Sequence, residues 1–185
     1  ISYSFYHSTG VLESRKIWKN GLENGNWVSY WSSGQLMERG NYKNGLKDSL
    51  WEFYHVYDNK IREKGNWKEG KKDGYWIEWN WQTEKKDLGY YVDGRKEGLW
   101  ERYFDYDKNL NRTVNYKGDM LEGSYNAYHR DGHLLVTRNF EKDCMTGPVK
   151  YFHLNGQLRI KGLYKNLKEN CFGNAFGKAE YNRTL

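Results

Sequence analysis

One pattern runs through nearly the whole chain: an aromatic residue is followed three positions later by a second one, and the pair recurs every 24 or 25 residues. Trp27 with Tyr30 and Trp51 with Tyr54 are typical pairs. The other copies are Tyr3/Tyr6, Trp76/Trp79, Trp100/Tyr103, Tyr125/Tyr128 and the weaker Val149/Phe152. A second aromatic ladder with the same period consists of Trp18, Tyr42, Trp67, Tyr91, Tyr116, Phe140 and Tyr164. Two independent anchors that keep one period over seven copies identify a repeat protein.

Each repeat unit contains two short β-prone segments separated by turns that carry glycine. In the second unit, residues 27–31 form the first predicted strand and residues 36–43 the second, and residues 43–48 form a loop to the next hairpin. No segment of useful length has helical periodicity. The sequence therefore predicts an all-β fold: an elongated single-sheet array of about seven antiparallel β-hairpin repeats over residues 1–169, followed by a degenerate cap or tail over residues 170–185.

The composition shows what kind of core such an array can have. Only 37% of the 185 residues are hydrophobic, but the chain carries 9 Trp, 17 Tyr and 7 Phe. Because each ring can bury about 150–250 Å², a row of rings can replace the thick aliphatic core of a Rossmann fold or a helix bundle. We expect Trp51, Trp76 and Trp100 to be core residues. A glycine recurs in the second strand of the repeat, and because it has no Cβ it leaves room for a ring of a neighbouring strand. Its copies are Gly40, Gly65, Gly89 and Gly162.

The residues that could carry chemistry do not assemble into a recognisable site. Four histidines, His7, His55, His129 and His153, share one repeat position. Equivalent positions in adjacent repeats lie two strands apart, about 9–10 Å, which is too far for two ligands of one zinc ion. We therefore expect these histidines to close a strand before its turn, and we predict no metal site, no cofactor and no enzymatic activity.

The two cysteines, Cys144 and Cys171, fall in successive inter-repeat loops at positions that are not equivalent. A disulfide between neighbouring loops would need Cα atoms within about 7 Å. The sequence favours two free thiols and leaves their pairing open.

The repeat unit G-x-W-x-x-Y…G-x-L…G-x-Y-K-x-G, seen in residues 25–45, resembles the MORN-repeat variant found in bacterial antitoxins of the YwqK type. The resemblance covers nearly the whole chain. It implies a scaffold that binds a partner protein, and more specifically an antitoxin or immunity protein whose partner is a toxin. Two alternatives stay open: a secreted or surface-exposed interaction module, and a binder of acidic lipid or nucleic acid through the Lys-rich turns.

Positions that vary between repeats are free to serve a partner, because the fold does not dictate them. Surplus aromatic residues at such positions are Trp31, Phe53, Trp81, Phe104 and Tyr106. Trp and Tyr are enriched at binding hot spots, so we predict a protein-binding patch centred on Trp81, Phe104 and Tyr106, with Lys71 and Lys72 as its polar rim. The alternative is that these rings thicken a thin core.

The net charge and the first residue of the chain do not specify its partner or its location in the cell. The net charge of +6 permits an acidic partner, but Lys and Glu are mixed along the whole chain. No apolar run approaches the length of a membrane span, and the edge strands of the sheet would permit self-association. Ile1 is not an initiator methionine, and the sequence leaves the location open. We expect the cytoplasm for an antitoxin, and the cell surface or exterior if a signal peptide precedes the chain.

Overall fold

The computed structural model describes residues 1–80, 85–104 and 109–164, and these form fifteen β-strands and no helix. The strands are β1 Ser2–Tyr6, β2 Leu12–Lys19, β3 Leu22–Glu23, β4 Gly25–Tyr30, β5 Leu36–Lys43, β6 Leu46–Tyr54, β7 Ile61–Lys68, β8 Lys71–Asn80, β9 Lys85–Val92, β10 Arg95–Tyr103, β11 Leu110–Lys117, β12 Met120–Tyr128, β13 Leu134–Glu141, β14 Cys144–Phe152 and β15 Leu158–Tyr164. They belong to one open antiparallel sheet whose strand order follows the chain, except that β3 pairs only with β2. The predicted all-β hairpin array is confirmed.

Two compact units share the described residues. The first unit comprises residues 1–80 with 90–94, and the second comprises residues 85–89 with 95–104 and 109–164. The predicted tail over residues 170–185 lies outside the described residues.

Tight turns close one end of each hairpin. Asn44 and Gly45 have φ angles of 51° and 80°, and Lys43 pairs directly with Leu46 across the turn. Two central residues with positive φ define a type I′ turn, for which Asn-Gly is a preferred sequence. The predicted loop over residues 43–48 was therefore wrong: its turn has only two residues, and β6 begins at Leu46 because the ladder continues up to the turn. Similar positive-φ pairs are Asn20-Gly21, Glu69-Gly70, Asp93-Gly94, Gly118-Asp119 and Lys142-Asp143.

Longer turns close the other end, and the recurrent histidines begin them. The backbone N–H of His7 donates to the carbonyl of Val11 at 2.8 Å, which closes a five-residue turn. Corresponding bonds run from His55 to Lys60, His129 to His133 and His153 to Gln157. The structure thus places these histidines at the strand ends, where the repeat pattern predicted them.

A bulge in the first strand of each hairpin brings the anchor ring over the glycine of the preceding strand. Gly65 pairs with Trp76 and Asn66 with Asp73, so Gly74 and Tyr75 are two extra residues in β8. A Cβ built on Gly65 would lie 2.3 Å from Cδ2 of Trp76. The same conflict, at 2.2 Å, would arise between Gly40 and Trp51 and between Gly89 and Trp100. The predicted role of these three glycines is confirmed.

The core of the first unit is a row of rings on one face of the sheet, which we call the ring face; the opposite face is the back face. Trp51 and Trp76 are completely buried. Their rings meet neighbouring rings edge to face, with centroids 5.0 Å apart for Tyr42 and Trp51, and 5.6 Å apart for Trp67 and Trp76. Side-chain alternation along each strand places the residues on either side of a ring-face residue on the back face.

The second unit has a ring face of its own, with smaller side chains. Trp100 is 4% exposed, and its ring meets that of Tyr116 edge to face. Farther along the chain, aliphatic residues enter the core; the buried ones are Val114, Val136 and Val149. The three tryptophans predicted to be core residues are therefore buried, and the last repeats fill the same layer with valine.

Cys144, the first residue of β14, is disulfide-bonded, so the expectation of two free thiols was wrong. In the antiparallel pair of β14 and β15, Tyr164 lies opposite Gly147, and the chain therefore leaves β15 close to the Cys144 end of β14. The repeat pattern does not indicate that the end of β15 lies close to Cys144. Cys171, the other cysteine, lies outside the described residues.

Candidate functional site

The ring face of the first unit is covered by charged side chains of the chain itself. The Lys47 ammonium lies 3.9 Å from the ring centroid of Trp51 and 3.4 Å from the carboxylate of Glu38. Burial lowers the pKa of Lys47, although the carboxylate of Glu38 opposes this shift. Lysine over tryptophan is a cation–π contact, which here shields the ring from water.

One repeat farther along, Lys72 has the same role. Its ammonium lies 4.0 Å from the ring centroid of Trp76, 3.1 Å from Glu63 and 2.7 Å from Glu78. Its side chain is only 20% exposed. Where such lysines cover the rings, the ring face leaves little apolar surface for a ligand.

The centre of the back face carries a cluster of charged and polar side chains. Glu52 is 6% exposed and lies between Arg39 and Lys64, which are its partners in the two neighbouring strands. Its carboxylate accepts hydrogen bonds from Arg39 at 2.5 Å and from Tyr54 at 3.0 Å, and pairs with Lys64 at 2.7 Å. Burial by itself raises the pKa of Glu52, but these partners outweigh it and lower the pKa to about 2. Its two cations and one carboxylate leave a net charge of +1, and their hydrogen bonds and ion pairs join three neighbouring strands.

Exposed apolar side chains gather on the back face near the tight turn at Asp93-Gly94. Tyr75 is 44% exposed, Tyr90 55% and Val92 56%. The rings of Tyr75 and Tyr90 meet edge to face with centroids 5.2 Å apart. We call Tyr75, Tyr90 and Val92 the tyrosine patch. All three residues belong to the first unit.

The repeat does not require apolar residues at these positions. Tyr90 stands where four of the other six repeats have asparagine, namely Asn41, Asn66, Asn115 and Asn139, while the first and last have Ile17 and Leu163. Val92 stands where other repeats have lysine, namely Lys43, Lys68 and Lys117. The sheet forms with polar residues at both positions elsewhere, so the hydrophobic substitutions at Tyr90 and Val92 have no role in the fold that the other repeats share.

One basic residue close to the tyrosine patch is paired with an acid. Lys71, four residues before Tyr75, forms an ion pair with Asp93 at 3.2 Å and is 59% exposed. Its stem runs along the tight turn, with Cβ 3.6 Å from where a Cβ on Gly94 would lie. A long charged side chain beside exposed rings is typical of the polar rim of a protein interface.

The structure describes five of the seven residues that the sequence predicts to bind a partner. Phe53 is only 8% exposed and stacks on Trp51 with centroids 5.9 Å apart, as expected of a ring that thickens the core. Trp31 and Phe104 are partly buried and begin long turns, at the position that histidine occupies in other repeats. Lys71 is exposed, whereas Lys72 packs over Trp76. Trp81 and Tyr106 lie outside the described residues.

Sequence reasoning missed the tyrosine patch because it counted extra rings beside the anchors and did not compare the remaining columns of the repeat. Reading each column would have revealed Tyr90 among asparagines and Val92 among lysines.

Within the described part of the chain, no three His, Cys, Asp or Glu side chains are grouped to hold a metal ion. No helix that could cross a membrane occurs there either.

The strand order, the two-residue turns and the buried ring ladder define a β-hairpin repeat protein. The family model of the MORN repeat variant matches residues 23–44 and 145–166, which lie in the first and the second unit respectively. MORN repeats are generally non-catalytic modules that bind proteins or membranes. No curated protein matches the chain.

Proposed function

We propose that this chain is a non-catalytic scaffold that binds a protein partner through the tyrosine patch. The observation that carries the proposal is the exposure of Tyr90 and Val92 at positions where other repeats carry asparagine and lysine. Tyrosine is enriched at protein-binding hot spots, since the ring supplies contact area with few rotatable bonds.

The charges around the patch favour a protein over an acidic membrane or a nucleic acid. Binding to phosphate-rich surfaces depends on lysine and arginine that are available to neutralise phosphate. Lys71 is paired with Asp93, and Lys64 with the buried Glu52. Each of these pairs sets an acid beside a cation on the back face, where Tyr75 is 44% and Tyr90 55% exposed.

Substitution back to the repeat pattern tests the proposal without disturbing the core. The double variant Tyr90→Asn/Val92→Lys should fold with a melting temperature close to that of the wild type, because other repeats carry these residues. Photo-crosslinking from position 90 should identify a bound protein, and the double variant should bind that purified protein at least about tenfold more weakly. Tyr57→Asn, which removes an 85% exposed ring in a long turn, is the matched control and should bind normally.

Other outcomes would contradict the proposal. Equal binding by the double variant and the wild type would remove the tyrosine patch as the interface. Binding of the chain to vesicles of phosphatidylcholine only when phosphatidylserine is added, without a protein ligand, would favour the acidic-membrane alternative.

The more specific hypothesis is that the partner is a toxin and that this chain is its antitoxin or immunity protein. It is supported by the resemblance of the repeat unit to the antitoxin type alone. Co-expression of the crosslinked partner with and without this chain tests it: the partner should arrest growth, and the wild-type chain but not Tyr90→Asn/Val92→Lys should restore it. A harmless partner would leave the surface-exposed interaction module as the alternative.

A further inference from the structure

Two arginines face each other on the ring face of the second unit. Arg102 in β10 and Arg112 in β11 are direct partners in the antiparallel register, two residues beyond the pair formed by Trp100 and Val114. Both side chains are partly buried. Like charges directly opposite each other destabilise a sheet, so this pair needs a compensating anion.

Earlier repeats show what usually occupies the position of Arg112. The equivalent residues are Glu38, Glu63 and Asp87, and each of these carboxylates pairs with a cation on the ring face. Arg112 therefore replaces an acid with a base at a position where the ring face otherwise uses a carboxylate.

The Asp87 carboxylate beside Arg102 is already engaged. Asp87 accepts two hydrogen bonds from Arg102, at Nε and Nη2, and this interaction raises the pKa of Arg102. Glu101 precedes Arg102 in β10, but side-chain alternation places Glu101 on the back face. There its carboxylate accepts a hydrogen bond from the hydroxyl of Tyr103. Among the residues that the structure describes, no side chain forms a hydrogen bond or an ion pair with the Arg112 guanidinium.

A small depression lies beside Arg112. Its walls include Asp87, Lys96, Trp100, Arg102, Arg112 and Tyr116, and its volume is about 20 Å³. That space is enough for one oxygen atom of the size of a water oxygen. An anion could place one oxygen there and present the rest of the group to the guanidinium at the surface.

We propose that Arg112 binds a carboxylate supplied by a ligand, in the form of a glutamate or aspartate side chain of an acidic peptide segment. Asp87 balances Arg102, so the positive charge of Arg112 remains for a carboxylate to balance, and Lys96 adds a further cation to the wall. The guanidinium fork matches a carboxylate with two parallel hydrogen bonds, as Arg102 and Asp87 already demonstrate in the neighbouring strand. The site is independent of the tyrosine patch, which belongs to the first unit.

The experiment uses a fluorescein-labelled oligoglutamate peptide and the full chain, with binding followed by fluorescence anisotropy at low salt. Arg112→Glu restores the acid of the earlier repeats; it should weaken peptide binding at least about tenfold and should raise the melting temperature, because the new carboxylate faces Arg102. Arg112→Gln removes the charge without adding an acid and should also weaken binding. Lys117→Glu, an exposed residue of the same strand on the back face, changes the net charge as Arg112→Glu does and should leave binding within about twofold.

Two results would overturn the proposal. If Arg112→Glu and Lys117→Glu weaken binding equally, the peptide responds only to net charge. If inorganic phosphate displaces the peptide at far lower concentration than acetate does, the site prefers phosphate and the carboxylate assignment is wrong. Chemical-shift changes at the Arg112 Nε–H on addition of the peptide, absent at Arg159, would support the site directly.

Discussion

Replacing Gly65 by alanine tests the central packing device of the sheet. In an ordinary strand this change is neutral or mildly stabilising, because alanine restricts the unfolded chain by about 0.4–1 kcal/mol. Here the new Cβ would lie 2.3 Å from Cδ2 of Trp76, whereas carbon atoms in contact are normally about 3.5 Å or more apart. Either the indole ring or the strand must move by about 1 Å.

The ring of Trp76 has little freedom to move. It has no exposed surface, its Nε1–H donates to the carbonyl of Asn66 at 3.0 Å, and it meets Trp67 and Tyr91 edge to face. Loss of that hydrogen bond costs about 1 kcal/mol, overpacking about 1–3 kcal/mol and disturbed ring pairs about 0.5–1.5 kcal/mol. After the gain from the unfolded chain is subtracted, Gly65→Ala should lower the free energy of unfolding by about 3 kcal/mol, which corresponds to a melting temperature about 6–12 °C lower.

A double-mutant cycle separates this steric conflict from any other effect of alanine. In the second unit, the glycine is absent where the anchor is not tryptophan. Val114 stands at the glycine position opposite Tyr125, and Arg138 stands at the glycine position where the anchor is Val149. In a Trp76→Val background, Gly65→Ala should therefore cost less than about 1 kcal/mol in urea unfolding followed by circular dichroism. An equal cost in both backgrounds, or no cost in the wild type, would refute the reasoning.

Three further predictions concern stability. The pKa of Glu52 is lowered in the folded chain to about 2, so its ionised carboxylate stabilises the fold above the unfolded pKa of about 4.3, and this stabilisation is lost as the pH falls toward 2. Between these pH values, the free energy of unfolding in urea should fall by about 2–3 kcal/mol less for Glu52→Gln than for the wild type. Trp76→Ala should cost about 3–5 kcal/mol, whereas Tyr3→Ala, at a residue that is 48% exposed, should cost less than about 1 kcal/mol, and equal melting temperatures would contradict the assignment of the core. Lys142→Asn should raise the free energy of unfolding by about 0.5–1 kcal/mol, since Lys142 has a φ of 49° in a tight turn that suits asparagine; a melting temperature no higher than that of the wild type would exclude this gain.

Part of the candidate site was visible in the sequence, and part was not. The varying columns of the repeat contain Tyr90 and Val92, so a column-by-column reading could have found them without a structure. The contact between Tyr75 and Tyr90 could not be found in this way, because Tyr75 is one of two extra residues in a bulge. The burial of Phe53 was equally hidden, since its exposure depends on the neighbouring Lys47 and Trp51.

The sequence by itself determined the hairpin repeat, the buried tryptophans and the glycines that face them. These features follow from local sterics that recur with one period: Gly65 and Trp76 are eleven residues apart, and Gly40 and Trp51 repeat the same spacing. The eleven-residue spacing in the sequence is therefore sufficient to predict which glycine faces which tryptophan.

Only the tertiary structure decided which side chains share a face and meet across strands. Each bulge adds two residues to one strand and changes the register, so the partner of a residue cannot be counted from the repeat alone. The opposition of Arg102 and Arg112 depends on that register, and the disulfide bond of Cys144 is a contact that the repeat pattern does not specify. Pairing between strands is a non-local property, and it brings together the residues of the two proposed binding surfaces.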